Sequence, residues 1–398
     1  MSIAATVLEW LRGRRSRQQT NASPIRGHEQ LVPLDGLRAI SIVLVLVTHL
    51  VPLGPNALRL NEMTGSMGMS LFFALSGFLI MRTLRTDSMP EFVIKRLARI
   101  LPLAWLYLGV VALLFGLQGK ALLASLAFVI NYRPDLMVPT TEHLWSLGVE
   151  MQFYAFVAGL GLLGRKALVL VWPCCLAVSA LRVYDGAMIE IATHLRGDEV
   201  LAGACLGCFS FGGQRRGKMS PFVWVVAAAF WTATSHPSGA WLQYLRPYAS
   251  MTLLAATLSL RPSSLLSALG STPLCYMARI SYALYIVHPL TAQHGWWNEG
   301  SICERYLLKR PAGLLLTFIA AHLSTFYWEQ RWTRAARRWI ACLRARKVRT
   351  MPTADHPVGY RLSNRGTLNV GSPAKQEFLV KGLPRSGDRS GGKSYWQL

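Results

Sequence analysis

With 398 residues, 42 Lys and Arg against 19 Asp and Glu, 52% apolar residues and a mean hydropathy of +0.31, the chain is too apolar for a soluble basic protein. A net charge of +23 alone would suit nucleic acid, but the basic residues fall between apolar runs and at the two ends, which is how a membrane protein distributes them, so no nucleic-acid partner is expected. The seven cysteines form no paired framework, and Cys205 and Cys208 have no second pair or nearby histidines, so neither a disulfide scaffold nor a metal site is expected.

In chain order, residues 1–30 place a short apolar patch before Arg12, Arg14, Arg15 and Arg17. A secretory signal has the opposite order, so this is read as an uncleaved cytoplasmic arm. The first predicted span follows from Leu34-Asp35-Gly36-Leu37-Arg38-Ala39-Ile40 into the apolar run ending near His49. Asp35 is placed as its cap. Between Gly36 and Leu53 the ionisable residues are Arg38 and His49. Eleven positions make three turns plus about 20°, so both lie on one helix face, roughly 16 Å apart along the axis. Ionisable groups inside a span usually face a protein interior or a water-filled cavity, and this face is taken as a cavity wall.

Further spans are predicted at 67–81, 100–115, 145–163, 167–181, 198–211, 221–234, 248–260, 274–290 and 312–328, while the apolar stretch 121–130 is half the length a span requires. If that stretch does not cross, 25 basic residues fall on the inner side against 9 on the outer, the positive-inside asymmetry; counting it as a span destroys that asymmetry. The expected fold is therefore all-α, a polytopic membrane helical bundle of about ten transmembrane helices with both termini cytoplasmic. It divides into the arm 1–30, a transmembrane domain 31–330, and a basic, largely disordered cytoplasmic tail 331–398, Gly-, Ser- and Pro-rich from Thr350 on.

This topology puts His49 and Glu150 in outer halves of their spans and Arg38 near the inner end with Arg96 and Arg99, which share a face if that entry is helical. A cationic inner mouth with a histidine and a carboxylate farther out suits an anionic ligand that enters from the cytoplasm and reaches outward with its reactive end. Plainer roles stay open for each group: snorkelling for Arg38, topology for Arg96 and Arg99, an interfacial position for His49. Ser76 and Gly77 read as close-packing residues, and Tyr282, Tyr285 and His288 as cavity lining or an interfacial aromatic group. Glu329 reads as an inner-face partner of Arg331, and His143 as exposed.

Five motifs in order then resemble one family. They are Leu34 to Ile40 with His49; Gly68-Met69-Ser70-Leu71-Phe72-Phe73-Ala74-Leu75-Ser76-Gly77-Phe78-Leu79-Ile80; Lys95-Arg96-Leu97-Ala98-Arg99 ahead of Pro102; Trp145-Ser146-Leu147-Gly148-Val149-Glu150-Met151-Gln152-Phe153-Tyr154; and Ile280-Ser281-Tyr282-Ala283-Leu284-Tyr285-Ile286-Val287-His288-Pro289. Over roughly residues 31–330 the chain resembles the acyltransferase-3 family of integral membrane acyltransferases, which O-acylate surface and secreted glycans. It departs where Met151 follows Glu150 in place of a frequent second acid, and where Lys95 replaces a frequent Arg. No soluble esterase-like domain is expected after the spans.

The resemblance implies transfer of an acyl group, most often acetyl, from cytoplasmic acetyl-CoA to a hydroxyl of a glycan, lipid-linked saccharide or lipo-oligosaccharide, by a multi-pass protein of a bacterial inner membrane. His49 is the expected base or transient acyl carrier, oriented by Glu150. Arg38, Arg96 and Arg99 are the expected holders of CoA phosphates, and Ser76, Tyr282, Tyr285 and His288 the cavity-lining or acceptor-binding residues. A different class of function, a transporter or exporter of a small anion or proton-coupled substrate, also accommodates buried Arg, His and Glu. Such folds usually show an internal repeat, and the Arg/His helix has no counterpart in the second half.

Overall fold

The computed structural model describes residues 32–209, 219–292 and 299–349. The expected arm 1–30, the basic residues 215–218 and the tail from Thr350 on lie outside the described residues. Among the described residues the structure is helical, and the strand-like pairing is one isolated bridge between Met219 and Leu260.

Helix α1, Val32–Leu50, starts three residues before Asp35. That carboxylate lies in the first turn, where it faces the positive end of the helix dipole, and is not the cap itself. Helix α2, Leu60–Thr83, is the hub, packed against α1 and against α7, Asp198–Phe209. The α2–α7 contact is backbone to backbone: a Cβ on Gly77 would stand 1.9 Å from the Val200 carbonyl oxygen, and one on Gly203 would stand 1.9 Å from that of Ala74. Gly77 is thus a packing residue.

Helix α3, Met89–Phe115, opens with a capping box between Ser88 and Glu91 and carries Pro102 in its interior. Around that proline the Tyr282 hydroxyl donates to the Ile100 carbonyl at 2.7 Å and the Trp328 indole donates to the Pro102 carbonyl at 3.1 Å. These bonds tie α3 to α11, Thr272–Ala292, and to the π-helical turn Ser324–Glu329 that follows α12, Arg310–Leu323. Helix α4, Gly119–Leu126, has eight residues, or about 12 Å, too little to cross a bilayer.

Among the described residues, four helical stretches are long and apolar enough to cross a membrane: Val32–Leu50, Asn56–Thr83, Met89–Phe115 and Arg165–Tyr184. Other expected spans appear as shorter or more polar helices: α5, Trp145–Leu162; α7; α8, Pro221–Ser235; α9, Arg246–Ser259; α11; and α12. Helix α6, Val171–Tyr184, forms the helical end of the fourth stretch, and α10, Ser264–Leu269, presses its last carbonyl against Gly36.

Arg182, Arg196 and Arg246, which lie just outside the expected spans, are buried. Arg182 pairs with Asp198 at 2.5 Å, Arg246 with Glu199 at 2.7 Å and Arg196 with Glu199 at 3.1 Å. The carboxylates open α7, and burying them requires the guanidiniums of α6 and α9 beside them. The described elements as far as Cys342 belong to one compact unit; α13, Gln330–Arg349, is the last described helix.

Candidate active site

Along α1 the helical repeat carries Arg38, Ser41, Ile42, Val45 and His49 on the side that faces α2 and α11. Arg38 is buried at 7% exposure, and its Nη1 has no hydrogen-bond partner. Its charged neighbours are Arg99, Asp35, Arg96 and Glu150. The Arg96 guanidinium sits 5.7 Å from the Phe92 ring centre and 5.8 Å from that of Tyr154, and donates to the Thr83 hydroxyl at 3.2 Å. Lys95 turns away to Asp87 at 2.7 Å, so the basic motif contributes Arg96 and Arg99 to this cluster but not Lys95.

Glu150, one and a half turns into α5, accepts from the Ser76 hydroxyl at 2.9 Å and from the Tyr154 hydroxyl at 2.5 Å. Ser76 is therefore a carboxylate partner as well as a residue of the packed hub. Glu329 was expected to pair with Arg331 at the surface. It is instead buried in the π-helical turn, where it accepts from the Thr325 hydroxyl at 3.1 Å and lies beside Arg99 and Tyr282. One end of the interior thus gathers three guanidiniums and two carboxylates.

The other end gathers imidazoles. The His49 ring centre lies 5.2 Å from that of His288, which lies 5.4 Å from that of His143. His143, expected to be exposed, is buried because α11 closes over it: the Tyr285 hydroxyl donates to its carbonyl at 2.5 Å, and Tyr107 and Tyr285 pack on its ring. Burial, then the nearby His288 and His49, holds this imidazole well below the ordinary histidine range, so it is neutral. Ser146 completes the anchor through a 2.5 Å contact with the Tyr285 hydroxyl. Among the described residues these histidines and their neighbours form no group that could hold a metal ion.

Between the two ends the seam is narrow. Ser41, Ile42, Val45, Met69, Phe72, Ser281 and Tyr285 line a void of about 10 Å³, the room of a single water. The Phe72 and Tyr285 rings stack across it, 6.2 Å apart and 10° from parallel.

The structure therefore brings Arg38, Arg96, Arg99, Glu150, Ser76 and Tyr282 to one cluster, and His49, His288 and Tyr285 to another. The sequence reading missed Tyr154, His143 and Glu329. Tyr154 was legible as the residue one helical turn after Glu150; burial of the other two follows from contacts remote in sequence.

Comparison with known proteins decides the lineage. A family model described as an acyltransferase domain, Acyl_transf_3, matches residues 32–325. The chain belongs to the acyltransferase-3 family. Its described helices and their two polar clusters lie almost wholly within the matched range of this acyltransferase-3 chain. It is similar to O-acetyltransferase OatA of Staphylococcus aureus strain NCTC 8325 / PS 47, 34% identical over 147 residues, which is 30% of this chain and 23% of that protein. A putative O-acetyltransferase of Staphylococcus aureus strain COL is 30% identical over 148 residues, covering 31% and 23%. The acyltransferase-3 chain thus spans about a quarter of the length of the curated relatives it matches. No solved structure matches it.

Proposed function

We propose that this chain is a membrane O-acetyltransferase that carries an acetyl group from cytoplasmic acetyl-CoA to a hydroxyl of a glycan or lipid-linked saccharide on the far side of a bacterial inner membrane. The observation that carries it is α1 itself. This helix delivers one buried guanidinium with an unpartnered nitrogen to a cationic cluster and one imidazole to a histidine cluster about 16 Å away, roughly the reach of a pantetheine arm.

Arg38, Arg96 and Arg99 fit the phosphates of CoA, since planar guanidiniums pair with phosphate oxygens at two points. Glu150 and Glu329 offset part of the positive charge when no anion is bound and keep the guanidiniums aimed inward. Glu150 also aligns α5 beneath the histidines through Ser76 and Tyr154. We assign it this supporting part in catalysis. Tyr282 holds the inner mouth against α3, and Tyr285 the acceptor end against α5.

His49 takes the proton from the acceptor hydroxyl as its oxygen attacks the thioester carbonyl. The tetrahedral intermediate collapses, the C–S bond breaks, and the imidazolium returns the proton to the CoA thiolate. The products are the O-acetyl ester and CoA thiol. For the thioester to reach His49, the Phe72–Tyr285 seam has to open.

Membranes holding the full chain, supplied with labelled acetyl-CoA and the host's own acceptor, test this. His49→Ala is expected to remain in the membrane and lose transfer by at least about a hundredfold, the scale of an acid–base group. Full transfer in that variant removes His49 as the base, and movement of a ligand without covalent transfer points to transport instead.

A further inference from the structure

We infer that His143 and His288 form a recognition site for a second, neutral hydroxyl of the acceptor, beside the reacting hydroxyl at His49. The inference rests on the acyl-transfer function above and narrows its acceptor to a compound with at least two hydroxyls close together and no charged group between them.

The tautomer of His288 is fixed by its neighbour. Its Nδ1 lies 2.8 Å from the Tyr285 carbonyl oxygen, which can only accept, so Nδ1 carries the hydrogen and Nε2 is a lone pair. That Nε2 is buried and has no hydrogen-bond partner, and neither ring nitrogen of His143 makes a hydrogen bond of good geometry, although the Ile286 backbone stands beside that ring. Buried polar atoms are nearly always satisfied, so three open nitrogens in adjoining rings mark a place completed by a ligand. Neutral His143 offers one N–H and one lone pair. The site therefore presents two acceptors and one donor.

A hydroxyl matches this set, because each gives one O–H and accepts in return. A carboxylate or phosphate would meet two lone pairs and one donor, and an ammonium would leave the His143 N–H unmatched. Tyr285 sets the geometry from both sides: its carbonyl fixes the His288 ring, and its hydroxyl holds the His143 backbone. The spacing of the three rings, 5.2 and 5.4 Å, suits neighbouring hydroxyls on one sugar ring.

The test uses the full chain in membranes, labelled acetyl-CoA, and graded dilutions of a glycolipid extract of the host's membranes as acceptor. His288→Asn keeps a donor toward Tyr285 but places nothing at Nε2; His288→Gln places an amide there. His143→Phe keeps a ring and removes both nitrogens. His288→Asn and His143→Phe are expected to raise the half-saturating amount of extract about tenfold, the worth of one hydrogen bond, with the saturated rate within about threefold of wild type. His288→Gln is expected to stay within about threefold on both measures.

A saturated rate that collapses at unchanged half-saturation overturns the inference, as does a His288→Gln protein no better than His288→Asn. Should His143→Phe fail to accumulate, the Asn/Gln pair at His288 decides alone. His49→Ala separates the two levels. Full activity there defeats the acyl-transfer mechanism, whereas an inactive His49→Ala beside wild-type His143 and His288 variants defeats only the recognition site.

Discussion

Arg38 is the residue whose identity is most constrained by its surroundings. It is buried, its Nη1 is open, and two other guanidiniums stand near it, an arrangement that costs free energy until an anion arrives. Arg38→Lys keeps the charge and loses the fork. Losing a charge-assisted hydrogen bond worth about 1.5–3 kcal/mol, this variant is expected to raise the KM for acetyl-CoA between about tenfold and a hundredfold while leaving the acceptor dependence unmoved. Initial rates at varied acetyl-CoA measure it, and an unchanged KM removes Arg38 from the donor site. Arg38 and His49 were legible in sequence because expense and spacing coincide: two ionisable residues in one apolar run, a whole number of turns apart. Glu150 was legible as a costly residue but not its partners, since Ser76 lies 74 residues away and reaches it only through α2. His143 was misread because a residue just ahead of a span looks like a loop residue until α11 closes over it.

At the scale of elements, the long apolar helices α1, α2 and α3 were legible by length and hydropathy alone. Helix α7, expected as a span, is described over twelve residues and opens on two buried acids. Its polarity makes sense only once Arg182, Arg196 and Arg246 surround it, and those come from separate parts of the chain. Sequence places such charges in loops because water is the cheapest partner for an isolated charge; the fold supplies a closer one. Arg246→Met would leave Glu199 short of a partner at full burial and is expected to cost about 3–5 kcal/mol. Thermal unfolding of the detergent-solubilised protein reads this directly. A melting temperature equal to wild type would mean that Arg196 alone satisfies Glu199. The π-helical turn Ser324–Glu329 left no sequence signal at all, yet it is what turns Glu329 inward toward Arg99.

At the scale of the whole molecule, one cluster gathers guanidiniums and the other imidazoles, with a packed seam between them. The contrast in chemistry between the two ends was legible; the closure was not, because it depends on how Phe72 of α2 meets Tyr285 of α11. Phe72→Ala removes one of the stacked rings and widens the passage. It is expected to raise acetyl-CoA hydrolysis without acceptor several-fold, as water gains access to the thioester, at a stability cost of about 3–5 kcal/mol for the truncated ring. Release of CoA thiol in acceptor-free membranes checks this, and a hydrolysis rate equal to wild type shows that the seam is not the barrier.

The water-sized void behind those rings bears on the bilayer as much as on the reaction. A protein with a polar group near each face of a membrane risks becoming a wire for protons, and even a slow leak through many copies would drain the gradient on which other transporters run. Among Ser41, Val45, Ser281 and Tyr285 there is space for about one water, too little for a file of hydrogen-bonded molecules at that point of the seam. On the proposed mechanism, the same two rings that narrow this passage are the ones a long donor has to part.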